Sequence, residues 1–212
     1  MSKLAIAKGA RLKSARLGVL TLCLAPLMFG CAFTPQQVHF EPQVRQAATI
    51  TPSPTPTTLP AISLVTSDER TSSAIGSRGL GVGMSAEITT TDDIAALVHG
   101  QVSTALTAQG FKLSDASPDA SRNELRVEVR NLEYKVTPGI ITGHLRAESA
   151  LKGICSSGGR RGYEHLYRGE STEEVFVVQF AESNAKHLNV ALSKALEQLI
   201  ADRPLTNCLS AL

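Results

Sequence analysis

The strongest pattern along the chain runs from Ser183 to Asp202, where Leu188, Ala191, Leu192, Ala195, Leu196, Leu199 and Ile200 recur at alternating steps of three and one residues. Such spacing lines one side of a 3.6-residue helix. Ser183 or Asn184 is placed to cap it, and Pro204 bars its continuation. A second helix is expected from Asp92, with Ile94, Leu97, Val98, Val102, Ala105 and Leu106 on its apolar face. Thr91 or Asp92 can cap that helix, and Gly110 ends it in the position that favours a left-handed residue.

Period-two alternation marks the strands. Ile62, Leu64 and Val65 form a short run that stops at Ser67-Asp68-Glu69-Arg70, and Gly79 to Thr89 is a second β-capable stretch. Glu124 to Thr137 alternates as Leu125, Val127 and Val129, then slips by one residue before Leu132, Tyr134 and Val136, which predicts a β-bulge at Arg130-Asn131. Pro138-Gly139 turns the chain into Ile140 to Ile154, and a third long strand begins at Tyr163, with strand character persisting or resuming through Val175 to Phe180. Short connections favour an antiparallel meander. The expectation is an α+β fold: a two-layer sandwich with a mainly antiparallel sheet of about four to five strands and two long amphipathic helices packed on one face.

The N-terminus has a different pattern. Lys3, Lys8, Arg11, Lys13 and Arg16 precede the apolar run Leu17 to Gly30, and Cys31 follows. A basic leader, a short apolar run and a small residue before cysteine read as a lipoprotein signal peptide over residues 1–30, with Cys31 receiving the lipid. The run is too short to span a bilayer comfortably, which takes ~20 apolar residues. The alternatives are a plain signal cut elsewhere or an uncleaved amphipathic anchor. Residues 31–60 read as a Pro/Thr-rich tether ending TPSPTPTTLP, and 61–212 as a single periplasmic domain. Fully extended, the tether could reach on the order of 90 Å. Alternatively part of it lies along the domain, with Val38 and Phe40 docked.

Charge follows from that division. The leader holds five of the 21 Lys and Arg and none of the 19 Asp and Glu, so the mature chain carries a formal charge of −3. A basic surface for nucleic acid is therefore not expected. With Cys23 lost in the leader and Cys31 lipidated, Cys155 and Cys208 remain in an oxidising compartment and are expected to pair. The alternative is two separate thiols, Cys155 in the sheet and Cys208 loose in the tail.

Candidate chemistry is sparse. Gly79, Gly81 and Gly83 lack the spacing and the adjoining helix of a dinucleotide loop. The five histidines, His39, His99, His144, His165 and His187, show no metal-ligand spacing, although His144 and His165 fall on neighbouring predicted strands. No GxSxG elbow occurs. Asp68 and Arg70 are close enough to form an ion pair. No catalytic residue, metal site or cofactor is expected. The Ser156–Gly162 turn, SSGGRRG, offers Arg160 and Arg161 either as a contact for carboxylates or phosphates or as a solvated hairpin tip.

As a set, Cys31, Asp68-Glu69-Arg70-Thr71, Ala108-Gln109-Gly110-Phe111, Tyr167-Arg168 and Ser183-Asn184 resemble the YajG-like lipoproteins of Gram-negative bacteria. The resemblance covers nearly the whole mature chain and implies an envelope lipoprotein with a small α+β domain and no established catalytic residues. The chain departs from that family in its longer proline-rich stretch, in Phe29, and in Cys155 and Cys208. The functional expectation is a non-enzymatic accessory or binding module of the cell envelope. Its partners are the membrane through Cys31 and another envelope protein or a cell-wall component, with no nucleic acid. Ala32 rather than Asp after the cysteine points to the periplasmic side of the outer membrane. The alternative is an envelope enzyme of cell-wall or lipid processing whose site has no recognisable motif.

Overall fold

The computed structural model describes residues 35–44, 61–79, 85–114, 123–139, 142–158, 160–175 and 181–211. The leader, Cys31, residues 51–60, Gly81, Gly83, Ile140 and the expected strand at 176–180 lie outside them.

Eight strands among the described residues form one curled mixed sheet: β1 (Gln36–Gln37), β2 (Ala61–Asp68), β3 (Ala74–Gly79), β4 (Ser85–Thr89), β5 (Lys112–Leu113), β6 (Asn123–Pro138), β7 (Gly143–Ser157) and β8 (Arg160–Val175). Three helices accompany them: α1 (Ile94–Ala108), α2 (Ala181–Ala201) and α3 (Arg203–Ser210). The expected two-layer sandwich of about four to five mainly antiparallel strands with two long helices is thus incorrect. The meander β6–β7–β8 is antiparallel, but β2 and β3 both lie parallel to β6, and β1 lies parallel to β4.

The physical reason lies in β6. Its register against β7 shifts between Val129 and Asn131, at the position where the alternation slips. Below that bulge, residues 123–129 of β6 pair with β2; above it, Tyr134 and Lys135 pair with β3. One bulged strand therefore supplies one edge to two successive shorter strands, which bends the sheet. The expected stretch Gly79 to Thr89 holds β4 and only the last residue of β3; Ala74 to Arg78, with one large apolar residue in Ile75, carry no alternation that marks a strand.

Helices α1 and α2 form over the segments whose spacing predicts helix, with different ends. α1 is capped by Asp93, whose carboxylate accepts Ala96 N–H at 2.9 Å, because Asp92 is engaged elsewhere. Gly110 adopts φ 96° just beyond it, as expected. α2 begins at Ala181, which leaves Asn184 inside the helix rather than at its cap. Pro204 does end that helix, but it also sits in the first turn of α3, where its missing N–H costs nothing.

α2 packs on β7 and β8, α1 on β2 and β5, and α3 over β7 and β8. Leu188, Leu192, Leu196 and Leu199 join Leu125, Val127, Leu145, Leu151 and Tyr167 in one core. The contact between α2 and the sheet is unusually close. A Cβ on Gly169 would lie 1.8 Å from the Ala191 carbonyl oxygen, and Ser149 Oγ donates a 2.8 Å hydrogen bond to that same oxygen. Only glycine lets the helix backbone settle there.

Candidate functional site

Two built surfaces stand out, one formed by each end of the described chain. The first is the segment Pro35–Val44, which lies on the domain although it falls within the expected tether. Gln36 and Gln37 pair with Ile88 and Thr89 of β4, and Val38 N–H continues the ladder to Thr89 O at 2.9 Å. Val38 and Phe40 are 2% and 4% exposed, so their apolar side chains complete the core.

Polar side chains on the helices hold the backbone of this strap. Asn184 donates to Gln36 Oε1 at 2.5 Å and accepts the Tyr134 hydroxyl at 2.6 Å. Asn189 Oδ1 accepts Glu41 N–H at 2.8 Å, and Ser193 Oγ accepts Gln43 N–H at 2.9 Å. Just ahead of α1, Asp92 receives Phe40 N–H at 2.7 Å and lies 3.1 Å from His39 Nδ1. Partial burial opposes ionisation of Asp92, yet the Phe40 amide and the His39 ring outweigh it and hold the carboxyl below its usual range. A shallow, open groove lined by His39, Phe40, Glu41, Asp92, Ala96 and Leu97 runs beside the strap.

The second surface lies where α3 meets the ends of β7 and β8. Cys155 and Cys208 are bonded there, with Cα atoms 6.3 Å apart. Asn123 Nδ2 donates to the carbonyls of Leu209 and Ala211, both at 2.8 Å. Tyr163 and Tyr167 both donate to Asp202 Oδ2, at 2.9 and 2.5 Å, with the His165 ring between the two phenols. Burial, followed by the bond to Asp202, raises both phenol pKa values. Arg160 and Arg161 open β8 beside this cluster, both exposed, and Arg161 Nη1 bonds Glu164 Oε2 at 2.9 Å. Glu164 also lies 3.2 Å from Lys152.

The remaining polar groups hold elements together. Asp68 and Arg70 do form the expected pair, with Arg70 Nε and Nη2 reaching the two carboxylate oxygens at 2.8 and 2.6 Å. The guanidinium bonds hold the Asp68 carboxyl below its ordinary value. His144 and His165 do not face each other: His144 pairs with Thr137 and Glu174, and His165 with Gly153. One constellation is invisible to spacing rules. Ser171 Oγ is 3.0 Å from His187 Nδ1, while His187 Nε2 lies 2.6 Å from Glu173 Oε2 but off the line of an N–H bond. The types match an acyl-transfer triad, but Ser171 is buried under α2 and the exposed end is Glu173. This arrangement fastens α2 to β8. Its only sequence signal was a histidine next to Leu188 on an apolar helix face. Among the described residues no three His, Cys, Asp or Glu side chains converge as a metal site.

Several solved structures resemble the chain at low identity. A minor lipoprotein from Acinetobacter baumannii is 14% identical, with 73% of this chain and 97% of that chain covered and a TM-score of 0.46. A protein from Xanthomonas campestris is 15% identical over 79% and 91%, with a TM-score of 0.43. The rare lipoprotein B from Shewanella oneidensis is 12% identical over 68% and 92%, with a TM-score of 0.34. No curated protein matches the sequence significantly. A family model described as "Uncharacterized lipoprotein" matches residues 48–210, three quarters of the chain and nearly all of the domain built here, and the chain belongs to that lipoprotein family, Lipoprotein_16.

Proposed function

We propose that this protein is a non-enzymatic accessory module of the cell envelope, lipidated on Cys31 and anchored on the periplasmic side of the outer membrane. The narrower likeness to the YajG-like lipoproteins is part of the same reading. The observation that carries it is the strap: residues 35–44 begin four positions after Cys31 and are built into the domain by Val38, Phe40, Asp92 and Asn184. Only a few residues then separate the lipid from the folded domain, which suits a module that meets neighbours at a membrane. Two or more acyl chains give stable anchoring where one does not.

Arg160 and Arg161, with the turn between β7 and β8, are the contact surface in this reading. Their guanidinium groups suit carboxylates of a cell-wall peptide or of an acidic envelope protein. The test is Cys31→Ser expressed in its native envelope. It is expected to lose acyl mass and to leave the membrane fraction for the soluble one. Retention in membranes with unchanged mass would end the lipoprotein reading. Hydrolysis of a cell-wall or lipid substrate by the purified protein would end the accessory one.

A further inference from the structure

The junction between α2 and α3 departs from a local rule. Asp202 stands at the N-cap position of α3, where an aspartate carboxylate ordinarily accepts a helix amide, yet it makes no such bond. Its Oδ2 instead accepts the Tyr163 and Tyr167 hydroxyls, at 2.9 and 2.5 Å, and the two phenols also interact with each other. Tyr163 and Tyr167 are four residues apart on β8, a spacing of about 13 Å along an extended strand. Their hydroxyls nevertheless meet, with the His165 ring between the two phenol rings. Three oxygens thus cluster at one point, and the Cys155–Cys208 bond fastens the helix that follows. Tyr167 is 3% exposed, whereas Tyr163 and Asp202 are half-buried, so the cluster is anchored inside and reachable from water.

We propose that Tyr163, Tyr167 and Asp202 bind a hard trivalent cation, with ferric iron as its biological form. The three oxygens are mutual neighbours, as the corners of one octahedral face are. With metal–oxygen bonds of about 2.0 Å, neighbouring ligands of an octahedron stand ~2.8 Å apart. The two phenol–carboxylate distances, 2.9 and 2.5 Å, bracket that spacing. Charge and donor type select the ion. Two phenolates and one carboxylate neutralise a trivalent ion, and an all-oxygen donor set favours a hard cation over zinc or copper. Binding breaks two O–H bonds and forms three oxygen–metal bonds; the two protons leave to water and the iron stays ferric. Burial and the bond to Asp202 raise both phenols, so each keeps its proton until the cation displaces it. Histidine, cysteine and carboxylate spacing gives no sign of this site, because two of its three donors are phenols. It is additional to the accessory role and independent of lipidation at Cys31.

The chain has three tyrosines, and the third, Tyr134, is buried and donates to Asn184. A phenolate-to-iron charge-transfer band is therefore assignable to this cluster. The experiment adds ferric nitrilotriacetate to the purified full-length protein at neutral pH, with gallium nitrilotriacetate in a parallel series. Iron is expected to give a visible charge-transfer band that saturates at about one ion per chain, with about two protons released per ion. Gallium, which has no redox chemistry here, is expected to give the ultraviolet difference spectrum of tyrosinate at the same stoichiometry. Tyr163→Phe and Asp202→Asn should each weaken binding by about a hundredfold or more, since losing even a partner behind a metal ligand costs ~10–100-fold. Absence of either signal in the wild type overturns the site, as does full-strength binding in Tyr163→Phe. The wild-type readings need no variant and stand even where a substitution unfolds the chain.

Discussion

The two terminal segments are fastened to the domain by different chemistry. Residues 203–211 are held by a covalent bond between Cys155 and Cys208, backed by Asn123 and by Asp202 with its two tyrosines. Residues 35–44 are held by two buried side chains and a set of hydrogen bonds, among them those of the Asp92 carboxylate to Phe40 and His39. The first fastening depends on redox state, the second on packing and on the charge of one carboxylate. The C-terminal helix is thus permanent in an oxidising compartment, whereas the strap can be released without breaking a bond.

Removing the covalent fastening should have the largest effect. Cys155→Ala with Cys208→Ala opens a loop with a sequence separation of 53. The chain-entropy argument expects a loss of about 4 kcal/mol in denaturant unfolding. Hydrogen exchange should accelerate across 203–211 and leave 35–44 unchanged. Equal acceleration in both segments would show that they are one cooperative unit.

Phe40→Ala attacks the other side of the comparison. Truncating this nearly buried ring is expected to cost about 3 kcal/mol and to expose the amides of residues 38–43. The exchange of 203–211 should stay as it is.

Asp92→Asn should cost less, about 1–2 kcal/mol, since a charged acceptor is exchanged for a neutral one of the same shape. Its value lies in the pH dependence. The Asp92 carboxyl is depressed in the folded state, so its contribution is fully present above the unfolded value near 3.9. That contribution is lost as pH falls through the lower folded value. Strap amides of the wild type should therefore lose protection below about pH 4, and that acid step should shrink in Asp92→Asn. Because Asp68 is depressed too, the reading must be local to residues 38–43 rather than global.

The smallest structural effect is expected from Arg160→Ala with Arg161→Ala, since both side chains are exposed. The thermal midpoint should not move, while the set of crosslinked envelope partners should lose members at matched abundance. An unchanged set would remove this turn from the proposed contact surface.

Some of this was legible in the sequence because it depends on neighbours a few residues apart. The apolar stripes of α1 and α2, the left-handed Gly110, the slip at Arg130-Asn131 and the Asp68–Arg70 pair are all of that kind. The family features sit among them, as does the apolar character of Val38 and Phe40, without which no docking alternative could be named. Burial of Leu145, Ala147, Ser149 and Leu151 on one side of β7 likewise follows from period-two alternation.

Apart from the pairing of Cys155 with Cys208, which the count of remaining thiols offered, the sequence could not determine what joins distant stretches. The parallel pairing of β2 and β3 with β6, the two-residue pairing of β1 with β4, the choice of Asn189 and Ser193 as acceptors of strap amides, and that of Asn184 as partner of the Gln36 and Tyr134 side chains leave no periodic trace. The β1–β4 and β3–β6 pairings involve two residues each, too few to build a pattern, and the bulge in β6 separates the part that pairs with β2 from the part that pairs with β3. Asp92 shows the same limit: helix-start rules offered Thr91 or Asp92 as the cap, and the arrival of Phe40 at Asp92 leaves the capping to Asp93. Local chemistry set which segments are helix and which are strand. Long-range packing, which satisfies buried backbone groups wherever a partner can be brought, decided the mixed sheet and the strap.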